Sequence, residues 1–404
     1  MKWRMFICAI CFLIGGCSLN IPLEDQFSDP DAITDVLSAR SLLASAYKAM
    51  PQQIFQLSVL SDDFCPSQHL NKDMSLQGLY NWREVEMTEL AGTLWAGYYA
   101  VIAEVNALLA RIDAVVTLDE TEKLEKMRIV CEAKALKSWC YFDLLRLFAP
   151  RYEGNENKDG IILKKRVELD FLPRSSVKEC VTEIRTLLNE ARNVDNTQKN
   201  VYWLSDKAVA YLQVELELYA GNYPAVLELT KDLETEYPES VLGADVYKYL
   251  WSSENSDARI FGKYQLEQIY MDIRFDTFEK GDYLVLSQNV DYEEEDIRKE
   301  WSEIPFVMPD AKNVRLLGKY NKMNRDKVAS KYVNVARAAG MWLMRVEALA
   351  RSGKEGDAVA LANRMLKQRG ATEWSTNIAG NELISKILIE RQKEYVGEGI
   401  RFFD

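Results

Sequence analysis

The strongest constraint on the fold is a unit of two short amphipathic helices joined by a glycine turn, which occurs twice in the chain. The two copies comprise residues 208–219 with 225–236, and residues 341–351 with 357–367. In both copies a glycine, Gly221 or Gly353, follows the first helix, where a left-handed residue ends a helix at low steric cost. The pattern is typical of tetratricopeptide units, which stack into an array with a concave face.

The remaining sequence favours a helical body with one long interruption. Apolar residues recur at helical spacing in four further segments, 32–50, 89–112, 122–148 and 177–192. The segment 53–81 has no helical period and is interpreted as a loop. The segment 241–331 is rich in Tyr, Trp, Asp and Glu, and long loops of this kind are usually functional. We therefore predict an all-α, tetratricopeptide-like array of helix pairs, with halves 17–205 and 206–404 and a loop-rich insertion at 241–331.

The first residues have the pattern of an export signal. Lys2 and Arg4 precede an apolar run at 5–14, which is shorter than the ~20 residues that a spanning helix needs. Ile-Gly-Gly then precedes Cys17, as lipoprotein processing requires. We interpret 1–16 as a signal peptide and Cys17 as the lipidated first residue of the mature protein, which several acyl chains would hold stably at a membrane. The alternative is an ordinary free cysteine beside two glycines.

Composition and motifs argue against several classes of function. A formal net charge of -12 disfavours nucleic acid and anionic membrane surfaces as partners. His69 is the single histidine, so metal sites and histidine-based catalysis have little support, and no nucleotide-binding motif is present. Glu390, Glu394 and Glu398 are spaced to share one helix face, and we interpret them as ion-paired rather than as a catalytic carboxylate pair. We predict no enzyme activity, no metal and no cofactor.

Four cysteines lie beyond the segment that processing affects, and we expect them to be buried thiols. They are Cys65, Cys131, Cys140 and Cys180. Cys131 and Cys140 lie about 2.5 turns apart on one predicted helix, so they face opposite sides of it and cannot bridge to each other.

Aromatic residues in predicted loops are the candidate ligand-binding residues. A flat ring stacks on the C–H face of a sugar, while neighbouring amides and carboxylates bind its hydroxyls, usually in a concave site. The segment 77–83 places Tyr80, Asn81 and Trp82 together in a predicted loop. The long insertion adds three further candidates, Trp251, Tyr283 and Trp301.

Several segments, in order along the chain, together resemble the SusD/RagB family of Bacteroidetes outer-membrane lipoproteins. Residues 131–150, CEAKALKSWCYFDLLRLFAP, are similar to a stretch of that family, and residues 390–404, ERQKEYVGEGIRFFD, are similar to its closing signature. The opening helix at 31–47, the segment 94–106 and residues 173–177 also match.

The resemblance implies a lipoprotein at the outer membrane, displayed on the cell surface, that contacts the membrane only through its lipid anchor. It also implies that the protein captures oligosaccharides for a SusC-like TonB-dependent transporter. Alternatives are a peptide-capturing lipoprotein of the RagB type, a protein-interaction scaffold, and a glycoside hydrolase with carboxylates in 241–331. Ligand residues of the family lie in variable loops, so none transfers by motif. The chain stops at Asp404, where the family pattern continues, so a shortened member would lack part of the usual ligand face.

Overall fold

The fold is taken from a computed structural model. It describes residues 33–66, 74–167, 171–192, 200–252, 255–264, 284–307, 312–320 and 332–404.

The N-terminal half is built on two long helices. Its helices are α1 (Val36–Ala49), α2 (Ile54–Leu60), α3 (Met74–Tyr80), α4 (Glu84–Arg111), α5 (Glu120–Phe148) and α6 (Val177–Glu190). Helix α5 packs against α1, α4 and α6, and it is therefore enclosed along much of its length. Its residues from Cys131 to Leu145 are therefore almost all buried. Because apolar residues lie on every side of this part of the helix, α5 shows little amphipathic pattern.

The C-terminal half contains the two predicted helix pairs. Its helices are α7 (Asp206–Tyr219), α8 (Tyr223–Leu229), α9 (Leu233–Glu236), α10 (Ala244–Tyr247), α11 (Ile297–Ser302), α12 (Ala338–Arg351), α13 (Glu355–Arg369) and α14 (Gly380–Tyr395). Gly221 and Gly353 have φ of 68° and 74°, so the predicted left-handed turns are confirmed. The predicted helix 225–236 is divided into α8 and α9, and Arg345 binds the carbonyls of Leu227 and Thr230 at the break.

The insertion is less irregular than predicted. It contains strands β2 (Arg259–Tyr264), β3 (Leu284–Leu286), β4 (Glu303–Val307) and β5 (Asn313–Leu317); β1 (Phe64–Pro66) and β6 (Tyr332–Arg337) lie on either side of it in sequence. One antiparallel sheet has the order β1-β3-β5-β4, and β2 pairs with β6. These strands have three to six residues. Such short segments do not show a reliable alternation of apolar and polar residues. They are strands because they pair with segments that are distant in sequence.

The prediction of a loop across 53–81 is wrong at both of its ends. Helices α2 and α3 have seven residues each, so neither shows a full amphipathic repeat. Leu57, Leu60 and Leu79 are buried in a second core cluster, together with Trp251. Tertiary packing, rather than local propensity, therefore stabilises these short helices.

Helix α4, with the short 3-10 turn that follows it, is long and apolar enough to cross a membrane by length and composition alone. Its buried residues, which include Leu94, Tyr98 and Val105, instead pack in the main core, against α1 and α5. A core helix of a helical bundle has the same properties.

The cysteine prediction is confirmed at three positions of four. Cys131, Cys140 and Cys180 are buried free thiols, whereas Cys65 on β1 is an exposed free thiol. Cys65 lies on an edge strand: among the described residues, β1 pairs only with β3.

A buried cluster of charges joins the insertion to the C-terminal helices. Glu394 on α14 lies 2.6 Å from Arg337 and 2.8 Å from Arg369, and both guanidinium groups are almost fully enclosed. Arg298 bonds Asp296, Glu390 and Glu394, and Lys319 bonds Glu398. The predicted ion pairing of the three glutamates is confirmed, but the glutamates are buried, Glu398 lies beyond the end of the helix, and their partners come from distant segments.

The charges of this cluster compensate one another. Burial alone would raise the pKa of the Glu394 carboxyl, but the guanidinium groups of Arg369, Arg337 and Arg298 overcome that effect and lower it. Burial lowers the pKa of Lys319 to about 8, against the opposing charge of Glu398. Because each charge depends on the others, removing one leaves its partners buried and uncompensated.

We predict that Glu394→Gln lowers the free energy of unfolding by about 3–5 kcal/mol, as expected for one member of a buried ion cluster. Urea unfolding of residues 18–404, followed by circular dichroism, measures the change. Glu382→Gln is the matched control, because Glu382 lies exposed on the same helix and should change stability by less than about 0.5 kcal/mol. Equal losses in the two variants would contradict this account.

Candidate functional site

Trp82 presents an exposed ring on the turn between α3 and α4. Its side chain is 56% exposed. Its backbone has a φ of 52°, which is a left-handed conformation that bulky side chains rarely adopt. The turn is closed by hydrogen bonds from the Trp82 amide to the Leu79 carbonyl and from the Arg83 amide to the Gly78 carbonyl, both 2.9 Å. The chain therefore keeps a tryptophan where glycine or asparagine would be less strained.

The two neighbouring candidates have more local roles. The Asn81 side-chain amide donates to the Gln77 carbonyl at 2.7 Å, which helps to close α3. Tyr80 is half-buried and packs against the second core cluster. Of the three residues, Trp82 offers the ring surface that a ligand can reach.

Phe402 supports the Trp82 ring, and the sequence did not identify it as a site residue. The two rings are stacked, with centroids 6.1 Å apart and planes inclined by 24°. The indole N–H of Trp82 also donates to the Leu60 carbonyl at 3.2 Å. The ring is therefore held in one orientation by a stacking partner and a hydrogen bond, and we call the pair Trp82 and Phe402 the aromatic platform.

The C-terminal segment that carries Phe402 is itself tied to the end of α2. Arg401 forms a two-bond ion pair with Asp62, at 2.6 and 2.9 Å. The Gly399 amide donates to the Ser58 hydroxyl, and the Gly397 amide donates to the Asp63 carboxyl. These bonds connect residues 397–401 to the end of α2 and to the turn that precedes β1.

A groove lies beside the platform, between the two helix-pair units. Its volume is about 300 Å³, and its walls come from the ends of α5, α7, α12 and α14, the start of α8 and the C-terminal residues. Six of its lining residues are aromatic, namely Phe142, Tyr152, Tyr219, Tyr223, Phe402 and Phe403. Phe402 therefore belongs to both the platform and the groove.

Arg146 lines this groove and is enclosed by rings and carboxylates. Its guanidinium carbon is 4.2 Å from the centroid of Phe142 and 4.3 Å from that of Phe403. It bonds both Asp143 and Glu215 at 2.6 Å. Although burial opposes the charge, these two carboxylates raise the pKa of Arg146 above its ordinary value.

The other sequence candidates are not gathered at this surface. Trp251 is 1% exposed and packs in the second core cluster. Its ring lies 4.8 Å from the Lys319 ammonium and therefore covers the buried charges, so its interpretation as a ligand-binding residue is wrong for this structure. Trp301 is half-buried against the same core cluster. Tyr283 and Cys17 lie outside the described residues.

Over the described ranges, no group of three or more His, Cys, Asp or Glu side chains is arranged to hold a metal ion. His69 lies outside those ranges. The platform and the groove present aromatic rings, tyrosine hydroxyls and paired charges.

Comparison with known proteins identifies the family. A SusD-like family model described as "Starch-binding associating with outer membrane" matches residues 23–214, and the model of the SusD family, SusD/RagB, matches residues 243–404. The chain belongs to the SusD/RagB family, which confirms the resemblance found in the sequence.

Individual relatives are distant in sequence but similar in fold. A SusD-like protein of Formosa agariphila is 22% identical over 460 positions, which cover 97% of this chain and 88% of the relative. A SusD-like carbohydrate binding protein from Bacteroides vulgatus superposes with a TM-score of 0.75 at 19% identity, covering 92% of this chain and 83% of that one. A SusD superfamily protein from Bacteroides thetaiotaomicron gives 0.74 at 18% identity, covering 92% and 88%. These likenesses establish the tetratricopeptide-like fold.

Asp63, which accepts a hydrogen bond from the segment that carries Phe402, should make the stability of the protein depend on pH. Burial raises the pKa of Asp63 to about 7, although hydrogen bonds from Gly397 and Gln392 and the charge of Lys319 oppose the shift. The folded protein therefore binds a proton that the unfolded chain, with a pKa near 3.8, releases. The contribution of the protonated Asp63 carboxyl to the free energy of unfolding is full below pH 3.8, and it is lost as the pH rises through about 7.

We predict that Asp63→Asn, which cannot ionise, stabilises the protein relative to the wild type more at pH 8 than at pH 5. Parallel urea titrations at the two pH values measure the difference. Asp62→Asn is the control: ion pairing with Arg401 lowers the pKa of Asp62, so this variant should be destabilised at both pH values. A constant difference between Asp63→Asn and the wild type would contradict the assignment.

Proposed function

We propose that the protein is an outer-membrane lipoprotein, anchored through Cys17, that captures glycans and passes them to a SusC-like TonB-dependent transporter. Membership of the SusD/RagB family supports this role, as does the description of the N-terminal family model as starch-binding and associated with the outer membrane. The name of the Bacteroides vulgatus relative, a carbohydrate binding protein, agrees with it.

The observation that carries the proposal is the strained, exposed Trp82. A left-handed backbone at a bulky residue costs on the order of 1–3 kcal/mol, and such strain is concentrated at functional positions. Packing alone does not explain this residue, because more than half of its side chain faces solvent. A ring held rigidly against Phe402 loses little conformational freedom when a ligand stacks on it, and preorganisation of this kind favours affinity.

Capture without reaction fits the remaining chemistry. Glu390, Glu394 and Glu398, the carboxylates considered for catalysis, are buried in the charge cluster and face arginine or lysine partners. They lie where a glycosidic bond cannot reach them. The proposed protein therefore binds an intact oligosaccharide and releases it unchanged.

The proposal predicts saturable binding of at least one oligosaccharide to residues 18–404, measured by calorimetric titration against neutral glycan, acidic glycan and peptide panels. Trp82→Ala should weaken that binding at least tenfold, about 1.4 kcal/mol, because the stacking surface is removed. Trp82→Gly should weaken it equally and unfold at a similar urea concentration to the wild type, since relief of backbone strain offsets the lost contacts.

Phe171→Ala is the matched control, because Phe171 is a fully exposed ring on the segment before α6; it should bind like the wild type. Chromatography of the glycan after incubation should recover it intact. Binding of peptides alone would favour the RagB-like alternative, and binding of neither class would favour a protein-interaction scaffold.

Anchoring has its own test. In a Bacteroidetes host, Cys17→Ser should move the protein from the detergent phase to the aqueous phase of a Triton X-114 partition, and it should abolish labelling with a radioactive fatty acid. Affinity purification of the wild type should recover a TonB-dependent barrel. Unchanged partitioning of Cys17→Ser would contradict lipidation at this residue.

A further inference from the structure

We propose that an exposed aliphatic surface at one end of the helical body docks on the transporter of the proposed function. The surface comprises Leu37, Val116 and Leu118, and we call it the anchor-side patch. This inference rests on the proposed function for its partner, but it uses no residue of the aromatic platform or of the groove. It assigns an interface that is separate from the ligand site.

Three aliphatic residues are exposed together where α1 begins and where α4 gives way to α5. Leu37, Val116 and Leu118 are 77%, 64% and 84% exposed. The amide of Val116 donates to the carbonyl of Thr34 at 3.4 Å, which holds the turn between α4 and α5 against the start of α1. The neighbouring Val115 is buried, so the turn packs one valine into the core and presents the next to solvent. Single exposed aliphatic residues are common on soluble proteins, but several together mark an interaction surface.

Contacts along the helices place Leu37 beside this turn. Arg40, one turn after Leu37 on α1, bonds Glu125, which lies near the start of α5. Further along the same two helices, the Tyr47 hydroxyl bonds Glu132. The two helices therefore run in the same direction from this end, and Leu37 lies at the level of the first turn of α5.

The chain from the proposed lipid anchor enters the helical body at this end. Fifteen residues separate Cys17 from Ile33, and α1 begins at Val36, next to Leu37. Even a fully extended segment of that length spans no more than about 55 Å. The anchor would therefore keep the patch within reach of proteins in the same membrane and raise their effective concentration.

The charges around the patch favour a protein partner with basic side chains at its rim. Among residues 33–40 and 111–126, the exposed charged residues are four carboxylates and one cation, namely Asp35, Asp113, Asp119, Glu120 and Lys123. The ammonium of Lys126 is directed inward, where it donates to the carbonyls of Asp113 and Val115 at 3.1 and 3.0 Å. An acidic rim repels anionic headgroups and the identical rim of a second copy, whereas it attracts lysine and arginine side chains. An apolar centre with a polar rim is also the usual anatomy of a protein interface.

The anchor-side patch and the aromatic platform lie at opposite ends of α4. Trp82 precedes this helix and Val116 follows it, and its 28 residues span about 42 Å. A partner on the patch therefore leaves the ring of Trp82 accessible. Changes at the patch should not alter the affinity for the ligand.

The test is recovery of the transporter with the tagged, full-length protein from solubilised outer membranes of a Bacteroidetes host, with the TonB-dependent barrel identified by mass spectrometry. Val116→Asp combined with Leu118→Asp should lower the recovered barrel roughly tenfold, because a carboxylate is costly to bury against an apolar partner. Phe171→Asp is the matched control, since it places the same charge on another fully exposed apolar residue; it should recover as much barrel as the wild type. The double variant should keep its oligosaccharide affinity within about twofold and should unfold at the urea concentration of the wild type.

Site-specific cross-linking identifies what contacts the patch. Among the described cysteines, Cys65 is the exposed thiol, so Cys65→Ser removes a competing site, and Leu118→Cys in that background takes a benzophenone maleimide. Irradiation of labelled outer membranes should join residue 118 to the barrel. The same label on Phe171→Cys should not.

The outcomes separate this interface from glycan capture. Equal barrel recovery by the wild type and the double variant would remove the patch from the interface and leave capture intact. An adduct with a second copy of the chain, or with lipid alone, would overturn the inference in favour of a dimer or the bilayer. If the wild type binds oligosaccharide but recovers no barrel, the transporter partner is wrong and this interface falls with it. Barrel recovery that depends on the patch, in a protein that binds no oligosaccharide, would support the interface and contradict capture.

Discussion

The ion cluster around Glu394 is the interaction on which the arrangement of the C-terminal half depends. Its members come from α11, the turn after β5, the end of β6, the end of α13 and α14, so segments that are distant in sequence meet at one buried point. Charges cannot be buried singly at a tolerable cost, and each segment must therefore arrive for the others to be satisfied. The cluster therefore disfavours incorrect arrangements of these segments, because a misplaced strand would leave a buried arginine unpaired.

The helical body could be predicted because its signals are local. Glycine turns and apolar periodicity identified the helix pairs, and the positive φ of Gly221 and Gly353 agrees with that reasoning. Helices α2 and α3 and the short strands could not be predicted in the same way, because their stability comes from long-range packing. Local periodicity carries no information about such partners.

The residues of the candidate site also differ in whether local sequence could predict their environment. The loop context of Trp82 predicts a ligand-binding residue, and its ring is exposed in the structure. Trp251 had a similar context, yet Lys319 and Arg337 lie against its ring and it is buried. Phe402 belongs to the segment that resembles a family signature, but nothing in its sequence neighbourhood indicates contact with residue 82. The burial of Trp251 and the contact of Phe402 with Trp82 both arise from segments that lie far apart along the chain.

The stacking of Trp82 on Phe402 has a consequence for how binding ability is acquired. The two rings are 320 residues apart in sequence, so closing this contact carries a large loop-closure entropy, and we expect it to form after the local helix pairs. An exported chain crosses the inner membrane as an unfolded polypeptide and assembles afterwards. Its helical units could form from local contacts while the ligand surface was still incomplete. On the proposed function, recognition would then be available only to molecules in which these two distant segments have met.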